Sequence, residues 1–193
     1  MSGEFCSTLI LVSQNGRFCT MKIVSLAVGL GALIIAALPA CAADVTLNDA
    51  MKDVVAPKTQ IVWDVGNKAM NDKGEADASR LADDDWKQII EGGSAVSASL
   101  KALAGADRLK AAQPGVKIQS EGNPGAWGAA DVQKAIDADP RGFKELAMKL
   151  ATALDATVAG AKARNGQAVQ DGSSQIDGLC EDCHKQYWYP NLK

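Results

Sequence analysis

Five consecutive residues near the C-terminus, Cys180-Glu181-Asp182-Cys183-His184, carry the strongest chemistry in this 193-residue chain. On a helix, positions three and four apart share a face, so both thiols and the imidazole project together. Cys-x-x-Cys-His is the attachment signature of c-type haem: the thiols form thioethers with the two haem vinyl groups, and the histidine ligates iron from the same side. Other uses of these residue types fit less well. A structural zinc site needs four ligands, whereas outside an apolar leader the chain offers two cysteines and its one histidine. A thioredoxin-type pair calls for a βαβ setting, and a disulfide across two intervening helical residues has poor geometry. The pentapeptide therefore predicts one covalent haem c with its iron as cofactor. Cys180 and Cys183 are the attachment points and His184 is an axial ligand.

The other end of the chain bears on the compartment. Residues 1–42 hold 26 apolar residues, while residues 43–193 hold 65. Met21-Lys22, an apolar run over 23–38 and the small residues Ala40 and Ala42 describe a secretory signal peptide over 21–42, cleaved after Ala42. Residues 1–20 fit no part of that signal and read as an upstream mis-start or extension, with Met21 the true start. Two other readings of the leader stay open. Residues 23–43 are uncharged over a length that could span a bilayer uncleaved, and Cys41 sits in a rough imitation of a lipoprotein site. All three deliver residues 43–193, read as a single domain, to the periplasm. Membrane contact is expected only if the leader is retained or Cys41 is lipidated. Cys6, Cys19 and Cys41 leave with the leader, and only the two cysteines of the motif remain. Residues 43–193 carry 18 Lys and Arg against 22 Asp and Glu. That balance leaves no basic excess to neutralise phosphates and excludes a strongly basic nucleic-acid binder.

The elements that must position the motif read as helices, with no sustained period-2 run. A first helix starts at Thr46, where Thr46 and Asp49 suit an N-cap, and its stripe runs through Leu47, Met51, Val54/Val55, Ile61/Val62 and Val65. Pro57 is expected to kink it. After a polar connection over 67–78, a second helix begins at Asp83, Asp84 and Asp85, acidic residues at the positive end of the helix dipole. It continues through Trp86, Ile89, Ile90, Val96, Leu100 and Leu103, with Gly92-Gly93 marking a break or a close contact. Residues 105–130, rich in Gly and Pro, predict a long loop that Trp127 tacks onto the helices. A helical stretch from Asp131 is interrupted at Pro140, which suits the first turn of a third main helix carrying Phe143, Leu146, Leu150, Leu154 and Val158 and ending near Asn165-Gly166. A fourth carries Val169, Ile176, Leu179, Cys183 and Tyr187 and stops at Pro190. Four such helices predict an all-α antiparallel up-down-up-down four-helix bundle. Of the 65 apolar residues in 43–193, 27 are Ala, a thin core that leaves room for a large apolar cofactor.

A four-helix bundle with Cys-x-x-Cys-His near its C-terminus resembles the class II c-type cytochromes, the cytochrome c′-like monohaem family. The likeness is specific in two places: residues 180–187, where the aromatic Tyr187 follows three residues after His184, and the first helix around Met51. The ending Tyr187-Trp188-Tyr189-Pro190 departs from the basic residue that commonly follows that aromatic in cytochrome c′ itself. It looks more like a subgroup of exported monohaem proteins ending in the same four residues. The resemblance implies a division between low-spin members with a Met ligand from the first helix and five-coordinate members with an apolar residue there.

Spacing bears on that choice. In such a bundle Met51 lies about 7 Å into the first helix and His184 about 5 Å from the end of the antiparallel fourth, so the two stand at similar height. Met148 lies about 13 Å into the third, and Met70 falls at the opposite end. Met51 is thus the expected sixth ligand, against the plainer reading that it only packs the core. The function that follows is a periplasmic one-electron carrier with an unidentified redox partner protein. The alternative is a five-coordinate haem protein that binds or buffers NO or CO. Tyr187 and Trp188 are expected to pack on the haem or seal the bundle end, Trp63 and Trp86 to pack the core, and Lys185 to be solvated or to face a partner. No second histidine exists to serve as a distal base and no other catalytic constellation is visible, so no enzyme activity is expected. By resemblance alone, a homodimer is possible.

Overall fold

The computed structural model of the chain describes residues 10–12, 18–20 and 46–189, and divides into two units, Met1–Cys41 and Ala42–Lys193. In the first, strands β1 (Ile10–Val12) and β2 (Phe18–Thr20) pair antiparallel, with Leu11 opposite Cys19. The predicted leader over 21–42, the Cys41 lipid site and the stop at Pro190 lie outside the described residues.

Residues 46–189 are all-helical. The first helical stretch runs as α1 (Leu47–Ala50), a π-turn (Met51–Val55) and α2 (Ala56–Lys68). Its start is capped as Thr46 and Asp49 foretell: the Thr46 hydroxyl accepts from the Asp49 N–H at 3.1 Å and donates to the Asp49 carboxylate at 2.5 Å. The amides of Leu47 and Asn48, which have no partner within the helix, donate to the carbonyls of Lys110 and Ala111, each at 2.8 Å. Pro57 perturbs the helix upstream of itself. Lacking an N–H and crowding the carbonyl four residues back, it follows a turn in which the Ala56 N–H reaches the carbonyl of Met51, one residue further than α-helical bonding allows.

Helix α3 (Asp83–Gly105) passes through Gly92-Gly93 without a break. The pair marks close contacts instead. A Cβ on Gly92 would lie 3.3 Å from the carbonyl oxygen of Lys58, and one on Gly93 would lie 2.7 Å from Val158. Lys68 bonds Asp85 at 2.6 Å while Lys58 and Val62 face Gly92, so α2 and α3 run antiparallel. Helix α4 (Ala129–Ala138) precedes α5 (Pro140–Lys162), whose N-cap Asp139 accepts from Gly142. Helix α6 (Gly166–Tyr187) returns along α5, with Gly172 against Thr157 and Tyr187 against Phe143. In all, α2 packs on α3 and α6, α3 on α5, and α5 on α6. Leu47, Val62, Leu100, Leu103, Leu154 and Ile176 are almost wholly buried between them.

Residues 106–128 form the expected loop. Gln133 of α4 straps it down, accepting from Ala111 N–H at 2.8 Å and donating to the Leu109 carbonyl at 3.1 Å. Trp127 tacks its far end to the C-terminal turn by donating its N–H to the Trp188 carbonyl at 3.1 Å.

Candidate functional site

Met51, at the head of the π-turn, and Cys180, Cys183, His184 and Tyr187, on the last turns of α6, line one cavity of about 330 Å³. Its remaining wall is mostly apolar, with Leu47, Val55 and Leu100 from the first half of the chain and Phe143, Leu146, Ala147 and Leu150 from α5. Residues more than 130 positions apart meet there because α6 retraces the first helical stretch: Gly66 approaches Ser173, and Met51 and Cys183 then share the wall farther along. A volume of this size falls within the range of small-molecule and cofactor sites.

The two thiols are free of any disulfide. Burial, reinforced by Asp177, pushes the Cys180 thiol up to about 11, and burial next to Cys180 pushes Cys183 up to about 12. Both are therefore protonated at neutral pH. Neither thiol has the lowered pKa that marks the nucleophile of a redox pair. Burial also holds His184 below the usual histidine range, partly offset by Glu181. A neutral imidazole is the form that ligates a metal.

His184 is only half free. Its Nδ1 lies 2.6 Å from the hydroxyl of Tyr189, and the two rings stand 5.0 Å apart at 47°. The carbonyl of His184 accepts from both the Trp188 and the Tyr189 N–H at 2.9 Å, which ends the helix and folds Tyr189 back over the imidazole. Trp188 donates its indole N–H to the Gln119 carbonyl at 3.3 Å. Gln119 and Ser120 reach the cavity wall, Ser120 with a left-handed φ of 66°, a conformation that non-glycine residues adopt at a cost of order 1 kcal/mol.

Tyr187 is 2% exposed, packs edge-on against Phe143 with centroids 5.4 Å apart, and donates to the Asp139 carbonyl at 3.3 Å. It borders the cavity and also ties α6 to the N-cap of α5. Trp188 is buried at the same end. Trp86 packs the core as expected, but Trp63 does more than pack: it reaches the cavity, as does the buried Thr59. The Trp63 indole N–H and the Thr59 hydroxyl have no hydrogen-bond partner. Orphaned buried polar atoms are costly, about 1–3 kcal/mol each, and a bound molecule carrying acceptors would relieve both. Thr59 was not foreseen because a threonine on an otherwise apolar stripe carries no signal of its own.

Neither Met70 nor Met148 lines this cavity. Met148 is 42% exposed and lies in a separate shallow groove between α5 and α6, and Met70 forms a bridge with Ala76 in the connection after α2. Lys185 is exposed and paired with Glu181 at 3.0 Å. Among the described residues no group of three or more His, Cys, Asp or Glu could hold a metal ion, and no helix is long and apolar enough to cross a membrane. No family model, curated protein or solved structure matches the chain.

Proposed function

We propose that the chain is an exported, periplasmic monohaem cytochrome that carries single electrons to or from a redox partner protein. On this reading the helices of residues 46–187 form an antiparallel four-helix bundle of the class II kind. Cys180 and Cys183 hold the haem through thioethers, His184 ligates the iron, and Met51 completes the coordination. The observation that carries the proposal is the convergence of Met51 with the Cys-x-x-Cys-His residues on one apolar cavity. The chemistry of the donor set fits the group: two unpaired thiols, a neutral imidazole with one nitrogen uncommitted, a thioether, and two orphaned donors at the wall.

When bound, the haem supplies the one-electron couple, and Met/His ligation raises its potential. The protein's own residues do the rest. The α6 backbone aims both thiols and the imidazole to one side. Leu100, Phe143 and Leu150, each almost wholly buried, exclude water and lower the local dielectric. The π-turn sets the height and direction of Met51.

The test is the absorption spectrum of the protein purified from an export-competent host, in both oxidation states. A low-spin reduced spectrum, with a sulfur-to-iron charge-transfer band when oxidised, is expected. Met51→Ala should turn the protein high-spin and open it to CO. A wild type that is already high-spin and binds CO or NO rapidly overturns the electron-carrier reading in favour of the gas-binding one. A protein without haem overturns both.

A further inference from the structure

The hydroxyl of Tyr189 stands 2.6 Å from His184 Nδ1, in a segment where the fold spends four other hydrogen bonds on holding the chain in place. Two of them close on the His184 carbonyl from Trp188 and Tyr189. The other two come from the loop over 106–128: the Trp127 N–H donates to the Trp188 carbonyl, and the Gln119 carbonyl accepts from the Trp188 indole. Tyr189 thus lies beyond the last helical turn and is still clamped from two sides, with its ring tilted over the imidazole.

We infer that Tyr189 is the positioning residue of the haem iron ligand, its hydroxyl oxygen accepting a hydrogen bond from His184 Nδ1–H so that the Nε2 lone pair faces the cavity. The inference rests on the haem reading above. A histidine that binds metal through Nε2 must carry its proton on Nδ1, and the group that takes this hydrogen bond fixes tautomer and ring orientation and makes the ligand a stronger donor. A phenol oxygen is a moderate acceptor. It strengthens the donation of His184 to iron less than a carboxylate would, and more than the apolar ring edge that a Phe presents in its place. A better donor favours the ferric state, so Tyr189 holds the reduction potential below the value that the same ligand pair would have without it. The loop over 106–128 acts through this contact, since it holds Trp188 and with it Tyr189.

The test uses the haem-loaded protein and its Tyr189→Phe variant, which keeps the ring and removes only the oxygen. Spectroelectrochemical titration should show the variant's potential shifted to a more positive value with unchanged spin state. Exchange of the His184 Nδ1 proton with solvent, followed by NMR in the reduced state, should be about fivefold faster, the factor that one net hydrogen bond of about 1 kcal/mol represents. A purely structural role would lower the unfolding midpoint and move neither quantity. In the wild type alone, the Nδ1 proton should be slow to exchange and close to the Tyr189 ring protons. Equal potentials and exchange rates in the two proteins, or a wild-type Nδ1 proton that exchanges freely, overturn the role of Tyr189 while leaving the haem reading intact. A wild type without haem overturns both.

Discussion

Gly172→Ala is expected to destabilise the protein by about 2 kcal/mol, although alanine is the better helix former. Gly172 is buried in the first half of α6, and a Cβ built there would collide with the Thr157 hydroxyl oxygen and lie 3.0 Å from the Thr157 Cβ. Thr157 cannot swing away freely: it is 1% exposed, β-branched, and donates to the Ala153 carbonyl at 2.8 Å. Helix propensity favours the substitution by about 1 kcal/mol. Overpacking a tight contact costs about 1–3 kcal/mol, and displacing the Thr157 hydroxyl forfeits about 1 kcal/mol more. The net loss lowers Tm by about 4–8 °C for a chain of this size, measured by far-UV circular dichroism together with urea unfolding. The contact itself is isolated by adding Thr157→Ala, which removes the colliding hydroxyl and methyl. The double variant should recover most of the loss, with a coupling of at least about 1 kcal/mol. Because Cys180 lies about 12 Å along the same helix, the single variant should also broaden the haem absorption bands. A Gly172→Ala protein at least as stable as the parent would refute the reasoning, since α5 and α6 could not then approach so closely.

Two further perturbations test how the cavity's supports are held. Asp85→Asn should cost about 1 kcal/mol near neutral pH, because the carboxylate accepts from Lys68 at 2.6 Å and from the Ala82 N–H at 2.8 Å. These bonds, the Lys68 one foremost, hold the Asp85 carboxyl below its ordinary 3.8. The stabilisation is therefore present above that pH and is lost as pH falls through the lower folded value. Urea midpoints of parent and variant should accordingly converge below about pH 3.8; a constant gap would refute the assignment. Gln133→Ala should cost about 2 kcal/mol by leaving the buried Ala111 N–H without its acceptor. Hydrogen exchange at 109–111 should quicken while α5 is unaffected, and uniform quickening throughout would count against a local strap.

Much of the helical framework was legible because local rules act within a few residues. Thr46 and the three aspartates at 83–85 cap or charge helix starts where expected, because side chains there satisfy or attract free N–H groups; Asn165-Gly166, expected near the end of the third main helix, instead caps the start of α6. Gly92-Gly93 was ambiguous because glycine weakens a helix and also permits close packing; only the presence of Lys58 and Val158 alongside decided for packing. Pro57 foretold an irregularity but not its form, since a π-turn and a kink both accommodate the missing N–H.

What the sequence determined by itself is the chemistry that fits within one or two helical turns: the two thiols and the imidazole share a face because three- and four-residue spacing on a helix makes them do so. Helix periodicity and approximate height also nominated Met51, since both follow from a fixed rise per residue. The tertiary structure decided everything that depends on residues distant in the chain. It brought Met51 into the cavity with His184, left the polar atoms of Thr59 and Trp63 without partners at its wall, and used the loop over 106–128 to press Tyr189 against Nδ1. A hydrogen bond to an imidazole depends on tenths of an ångström and on which nitrogen faces which way. That placement comes from the packing of Trp188 between Gln119 and Trp127, and no spacing rule along the chain encodes it.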